Sequence, residues 1–119
     1  MDGIKVMSDD FNKQFLELQR VFIDNLPERK QRINALLSQL YSNELQQNIV
    51  INLHREVHNL TGAAGCYQFK LLAAESRKVE NYLSGVLGNN QVFLQDPKWQ
   101  EQLGFYIAGL TKLIDEEVK

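Results

Sequence analysis

His58 is followed by glycines four and seven residues later, at Gly62 and Gly65, in a run whose apolar spacing is otherwise helical. Histidine carries a nucleophilic, titratable ring, whereas a glycine inside a helix costs about 0.5–1 kcal/mol relative to alanine. Two such glycines beside one histidine indicate that something needs close access to its ring. His54 lies one turn earlier, and the His54/His58 spacing can also place two imidazoles on one metal ion. The zinc-protease form of that spacing has glutamate directly after the first histidine, where this chain has Arg55, and no third ligand is evident. No metal is therefore expected.

Composition sets the bounds. A chain of 119 residues supports one hydrophobic core and is too short for two, so a single domain over residues 1–119 is expected. The net charge of −2, with acids and bases interspersed, gives no footprint for nucleic acid or an anionic membrane. Cys66 is the only cysteine, which excludes an internal disulfide and fits a reducing compartment. Near a helix end, Cys66 reads as a small packing residue. No apolar stretch approaches the roughly 20 residues needed to span a bilayer, and the first residues do not resemble a signal segment. A soluble, cytoplasmic protein is expected.

Apolar residues recur at three- and four-residue steps and never alternate convincingly, so the fold class is all-α. Helices are predicted over about 9–24, 27–42, 44–65, 69–87 and 97–118. Phe11, Phe15, Leu18, Phe22 and Leu26 form the first stripe, capped by Ser8 or Asp9, and Pro27 reads as the first turn of a second helix with Asn25 as its cap. That second helix carries Ile33, Leu36, Leu37 and Leu40. The third buries Val50, Leu53, Val57, Leu60 and Ala64, and the fourth Leu72, Val79, Leu83 and Val86 before Gly88-Asn89-Asn90. Asp96-Pro97 opens the fifth, with Trp99, Leu103, Tyr106, Ile107, Leu110 and Leu113 along one side. Short connections imply an antiparallel up-and-down four-helix bundle with an additional N-terminal helix as a lid. On that reading Phe11, Phe15, Leu18 and Phe22 are core, while Val21 faces outward and can widen a docking surface.

At about 100° per residue, Val50, Val57, Leu60 and Ala64 stay within about 60° of Leu53, while His58 lies near 140° and Gly62 near 180°. The His58 ring is thus expected to face water, with His54, Arg55, Thr61, Gly62 and Gly65 as its neighbours on that face. If the third and fourth helices form a hairpin turning near Tyr67 and Gln68, residues 77 to 80 lie level with His58. Arg77 and Glu80 are the polar side chains there.

The run His58-Asn59-Leu60-Thr61-Gly62-Ala63-Ala64-Gly65 resembles the histidine-containing phosphotransfer (HPt) domains of two-component phosphorelays, whose signature is His-x-Leu-Lys-Gly followed by small residues. The resemblance extends over the chain through the five-helix layout and the Val79-Glu80 pair, with two departures: Thr61 stands in place of the usual lysine, and Gln68 in place of a usual glycine. The resemblance implies that His58 accepts a phosphoryl group from the aspartyl phosphate of a receiver domain and passes it to another response regulator. It implies that Glu80 holds Nδ1–H and so leaves Nε2 free to attack. With no lysine at 61, Arg77 or Arg55 would supply the positive partner for the phosphoryl oxygens and Thr61 a hydrogen bond. Receivers would dock over His54, Asn59, Gly62, Gly65 and Gln68.

Such a phosphocarrier needs no cofactor of its own, since Mg²⁺ sits on the receiver and in-line positioning is most of the catalysis. Nothing in the chain resembles a kinase nucleotide loop, so no ATP site is expected. The implied partners are response-regulator receiver domains and a hybrid sensor histidine kinase, met by a monomer. The competing reading is a module that docks a receiver or kinase and inhibits it without accepting phosphate, which the loss of the lysine at Thr61 makes conceivable. The acidic tail Asp115-Glu116-Glu117 reads as a solvated helix end.

Overall fold

The computed structural model describes residues 2–42, 46–89 and 98–119, with side chains described from Asp9 onward. All of the regular structure among these residues is helical: α1 (Asp2–Ser42), α2 (Gln46–Cys66), α3 (Lys70–Leu87) and α4 (Lys98–Val118). The proposed starts at Glu44 and at Asp96-Pro97, and the break at Asn90, lie outside the described residues. No helix among those described is long and apolar enough to cross a membrane.

The stripes read from the sequence meet in one core, with Leu26, Ile33 and Leu40 from α1, Leu53 and Leu60 from α2, Leu72 and Leu83 from α3, and Leu103 and Leu110 from α4 fully buried; at the end of α4 it is Ile114, not the expected Leu113, that is fully buried. Neighbouring helices run in opposite directions, as their cross-contacts show. Arg32 pairs with Glu56 and Gln19 with the Tyr67 carbonyl between α1 and α2, while Lys30 pairs with Asp115 between α1 and α4. Tyr82 donates to the Trp99 carbonyl between α3 and α4 at 3.0 Å. Burial, and then the Tyr106 phenol beside it, holds the Tyr82 phenol above its usual range.

The expected break at Pro27 is absent: the two helices predicted over 9–24 and 27–42 are one helix of 41 residues with Pro27 inside it. Ser8 and Asp9 therefore lie within α1 and Asn25 caps nothing. Proline in a helix interior removes one hydrogen bond and crowds the preceding turn, at about 3 kcal/mol. Continuity keeps Phe22, Leu26, Ile33 and Leu40 in one unbroken stripe against the core, and Pro27 itself is on the exposed side. The burial of that stripe, about 1.5–3 kcal/mol for each large side chain, outweighs the proline.

A helix of this length spans about 60 Å at 1.5 Å per residue, and it accounts for the 64 Å long dimension of the molecule. Its N-terminal part therefore runs past the end of the bundle instead of folding over it as a lid. Phe11 (65% exposed) and Leu18 (49%) are not core, contrary to the pattern of their spacing. Val21 is exposed, as expected. Among the described side chains of this part, Phe15, Gln19 and Phe22 reach back onto the turn between α2 and α3. Phe22 stacks on Phe69 at 5.1 Å and meets Tyr67 at 5.6 Å, and Gln19 Nε2 donates to the Tyr67 carbonyl at 2.8 Å.

That turn is closed by the hydrogen-bond pair that ends many helices: Phe69 N–H donates to the Ala64 carbonyl at 2.8 Å and Gln68 N–H to the Gly65 carbonyl at 3.2 Å. Gln68 occupies the left-handed position of the motif with φ 66°, where glycine is usual. A left-handed conformation costs a non-glycine residue roughly 1 kcal/mol. Gln68→Gly is accordingly expected to stabilise the fold by about 0.5–1 kcal/mol, read as a higher urea midpoint with an unchanged slope. Cys66, the last residue of α2, is exposed and not a packing residue.

Candidate functional site

The site is a seam between two antiparallel helices. His54, His58 and Thr61 rise along α2 in steps of four and three, and Ser84, Glu80 and Ser76 descend along α3 in steps of four, so the two sets meet rung by rung. The register follows from the hairpin: with the turn at Tyr67 and Gln68, equal rise on both helices brings Glu80 level with His58.

On the middle rung, His58 Nδ1 lies 2.6 Å from Glu80 Oε1. The His58 side chain is 64% exposed and that of Glu80 only 17%. The carboxylate is thus the anchored member and the imidazole the presented one. A carboxylate accepts only, so it selects the ring form carrying a proton on Nδ1 and leaves Nε2 directed to solvent. On the outer rung, His54 Nε2 lies 2.9 Å from Ser84 Oγ, and the His54 and His58 rings stand nearly parallel, 6.2 Å apart. Each ring has a nitrogen engaged by α3, and the pair stacks instead of converging on a common point.

Thr61 is where the expectation fails. It is buried, with its hydroxyl 2.9 Å from the Val57 carbonyl and 3.0 Å from Ser76 Oγ, so it cannot reach a phosphoryl group at His58. At about 80° from Leu53 on the helix, Thr61 falls on the flank that α3 covers, whereas His58 at about 140° escapes it. Ser76 in turn donates to the Leu72 carbonyl at 2.8 Å, so both hydroxyls inside the seam are satisfied. The Thr61–Ser76 rung joins the helices beneath the histidine and takes no part on the outer face.

Gly62 and Gly65 are exposed, and a Cβ built on either meets nothing within 4 Å. Packing within the chain therefore gives no reason for glycine at these positions. The contrast is Gly104, where a Cβ would come within 2.9 Å of the Tyr41 hydroxyl. What the two α2 glycines leave clear is the space outside the molecule beside His58.

Arg77 and Arg55 are both exposed and neither forms an ion pair with a described residue. They sit on different sides of the histidine. Arg77 precedes Glu80 by three residues on the outer edge of the α2–α3 seam, next to the level of Gly62. Arg55 instead lines the groove between α1 and α2 with Arg32, Leu36 and Glu56. Asn59 and Gln68 are exposed, the first on the flank of α2 beyond His58 and the second at the turn.

The sequence alone did not reveal Ser76 and Ser84. Their signal was present as a polar line, Ser76, Glu80 and Ser84, running beside the apolar stripe of α3 at four-residue steps.

A family model for the Hpt domain matches residues 17–116, from the first buried turn of α1 to the last turn of α4. Comparison with curated proteins and with solved structures gave no significant match.

Proposed function

Since this chain belongs to the Hpt-domain family, whose members are phosphocarrier modules of two-component signalling, we propose that His58 is the residue that carries the phosphoryl group. The reading rests above all on one observation: an exposed imidazole whose Nδ1 is held 2.6 Å from a mostly buried carboxylate, beside cleared space at Gly62 and Gly65.

In the forward step the Nε2 lone pair of His58 attacks the phosphorus of a receiver's aspartyl phosphate, an Nε2–P bond forms, and the P–O bond breaks with its electron pair returning to the aspartate. The Nδ1 proton stays in place, so the product ring is positively charged and its charge is paired with Glu80. The return step to the aspartate of another response regulator is the same exchange reversed. Mg²⁺ belongs to the receiver, and a hybrid sensor kinase supplies the phosphoryl group upstream. His54, Asn59, Gly62, Gly65 and Gln68 form the rim over which a receiver docks.

Arg77 takes the place of the family's lysine. Its support is position, on the seam side of α3 one turn before Glu80, while Arg55 is turned toward α1. Arg77→Ala is expected to slow phosphotransfer about tenfold, equivalent to about 1.4 kcal/mol of barrier, with Arg55→Ala close to wild type. Glu80→Ala should cost a similar factor through loss of ring orientation, and Glu80→Gln less, because the amide oxygen still accepts from Nδ1. Equal rates in Arg77→Ala and wild type would remove that residue from the mechanism.

Incubation with a phosphorylated receiver tests the whole reading. Acid-labile, alkali-stable label on the chain supports the carrier, whereas tight binding with no label would mark a docking inhibitor.

A further inference from the structure

The outward face of α4 carries the most exposed large apolar side chain among the described residues, Phe105, at 78%. Taking Phe105 as origin, Glu101, Ala108, Gly109 and Lys112 all lie within about 60° of it on the helix, while the buried Leu103, Ile107 and Ile114 lie about 160–180° away. We propose that this face pairs antiparallel with the same face of a second copy of the chain.

The argument is self-complementarity. A two-fold axis passing between the levels of Tyr106 and Ile107, normal to α4, sets Phe105 of one copy opposite Ala108 of the other. The same operation sets Glu101 opposite Lys112, an ion pair made twice by symmetry. Phe105 stands between two shallow, open depressions of the surface, one over Gly104 and Ala108 and one over Gly109, which leave room beside it for the partner's ring. Ala108 and Gly109 keep the rest of that face low, so the Phe105 ring of each copy has room to lie against the other helix. Gly109 has no internal reason to be glycine, since an added Cβ would make only ordinary contact with Glu75 Oε1 at 3.8 Å.

The pairing leaves the phosphotransfer face alone. α4 packs on α3 and α1, and Phe105 points away from that core, whereas His58 projects from α2 over α3. A dimer built this way presents two histidines outward, each with its own Glu80. One pair of helix faces makes a small interface, so the association is weak. The monomer expected from the resemblance is the species at low concentration.

Sedimentation equilibrium of the full chain, from about 10 µM to about 1 mM, tests the proposal. The expected mass rises from 13.8 kDa toward twice that value. Phe105→Ser should hold the chain monomeric with unchanged helicity. Glu101→Lys and Lys112→Glu should each raise the dissociation constant about tenfold or more, and the double variant should restore it. The charge variants keep the test valid if Phe105→Ser misfolds. A monomer throughout the range overturns the proposal, as does a dimer that survives Phe105→Ser. A double variant no better than either single overturns the antiparallel register. A monomer whose Phe105→Ser form instead binds a receiver more weakly assigns the face to that partner and likewise overturns it. Labelling of His58 is read at low concentration, so its failure and failure of the dimer are separate outcomes.

Discussion

His58→Gln is expected to abolish phosphoryl uptake from a phosphorylated receiver while leaving the free energy of unfolding within about 0.5 kcal/mol of wild type. The reaction needs a nucleophilic ring nitrogen, and an amide has none. The stability expectation follows from exposure: the side chain is 64% accessible, so its replacement opens no cavity. The cost is the hydrogen bond to Glu80, whose carboxylate becomes free to turn toward water or to accept from the glutamine amide. His54→Gln is the control. Its ring bonds Ser84 on the neighbouring rung and stacks on His58 at 6.2 Å, so the loss should slow transfer only a fewfold. Label retained in His58→Gln, or lost only in His54→Gln, would mean that the phosphoryl group sits on the other histidine.

Those two histidines show how far helical periodicity carries. The 100° step separates the stripe of Val57, Leu60 and Ala64 from His58 unambiguously, and 1.5 Å per residue from the turn was enough to bring Glu80 level with it. Both inferences use only the regularity of an α-helix. Thr61 escaped the same arithmetic because an angle of about 80° is neither core nor surface, and its fate depends on which neighbour covers that flank. The cover is α3, through Ser76, and the side of α2 on which α3 lies is a tertiary fact. A lone threonine does not encode it.

Pro27 and the aromatic stripe of α1 failed for a related reason. Proline is a strong local signal for a helix start, but local preference is overridden when the apolar register on either side of it is continuous, as Phe22, Leu26 and Ile33 are. The spacing of Phe11, Phe15, Leu18 and Phe22 correctly marks one face of a helix. Whether a face is buried depends on something lying opposite it, and the α2–α3 turn ends at the level of Phe15 and Gln19. Residues beyond that level have the pattern of a core without its partner. Gln68 belongs with them: its φ of 66° comes from the Ala64-to-Phe69 closure of the turn, which glutamine does not announce.

Gly62→Gln is expected to raise stability and slow transfer together. The fold gains several tenths of a kcal/mol from helix propensity, because no atom lies within 4 Å of the position a Cβ would take and nothing must move to admit one. Transfer loses more. Gly62 is one turn after His58 on the same exposed face, and a long amide side chain there occupies the volume through which a receiver's aspartyl phosphate must reach Nε2 in line. A displacement of about 1 Å at the reacting atoms costs about a hundredfold in rate, so a loss of that order is expected, close to 2.7 kcal/mol of barrier. Gly62→Ala separates the two effects, since it brings most of the propensity with little of the bulk and should retain most of the rate. The measurement is a pair of numbers for each variant, the urea midpoint and the rate of label transfer at a fixed receiver concentration. Opposite movement of the two in Gly62→Gln identifies the glycine as clearance for an incoming partner. A variant that is both more stable and fully active would leave the sequence with no physical reason to keep glycine beside its histidine.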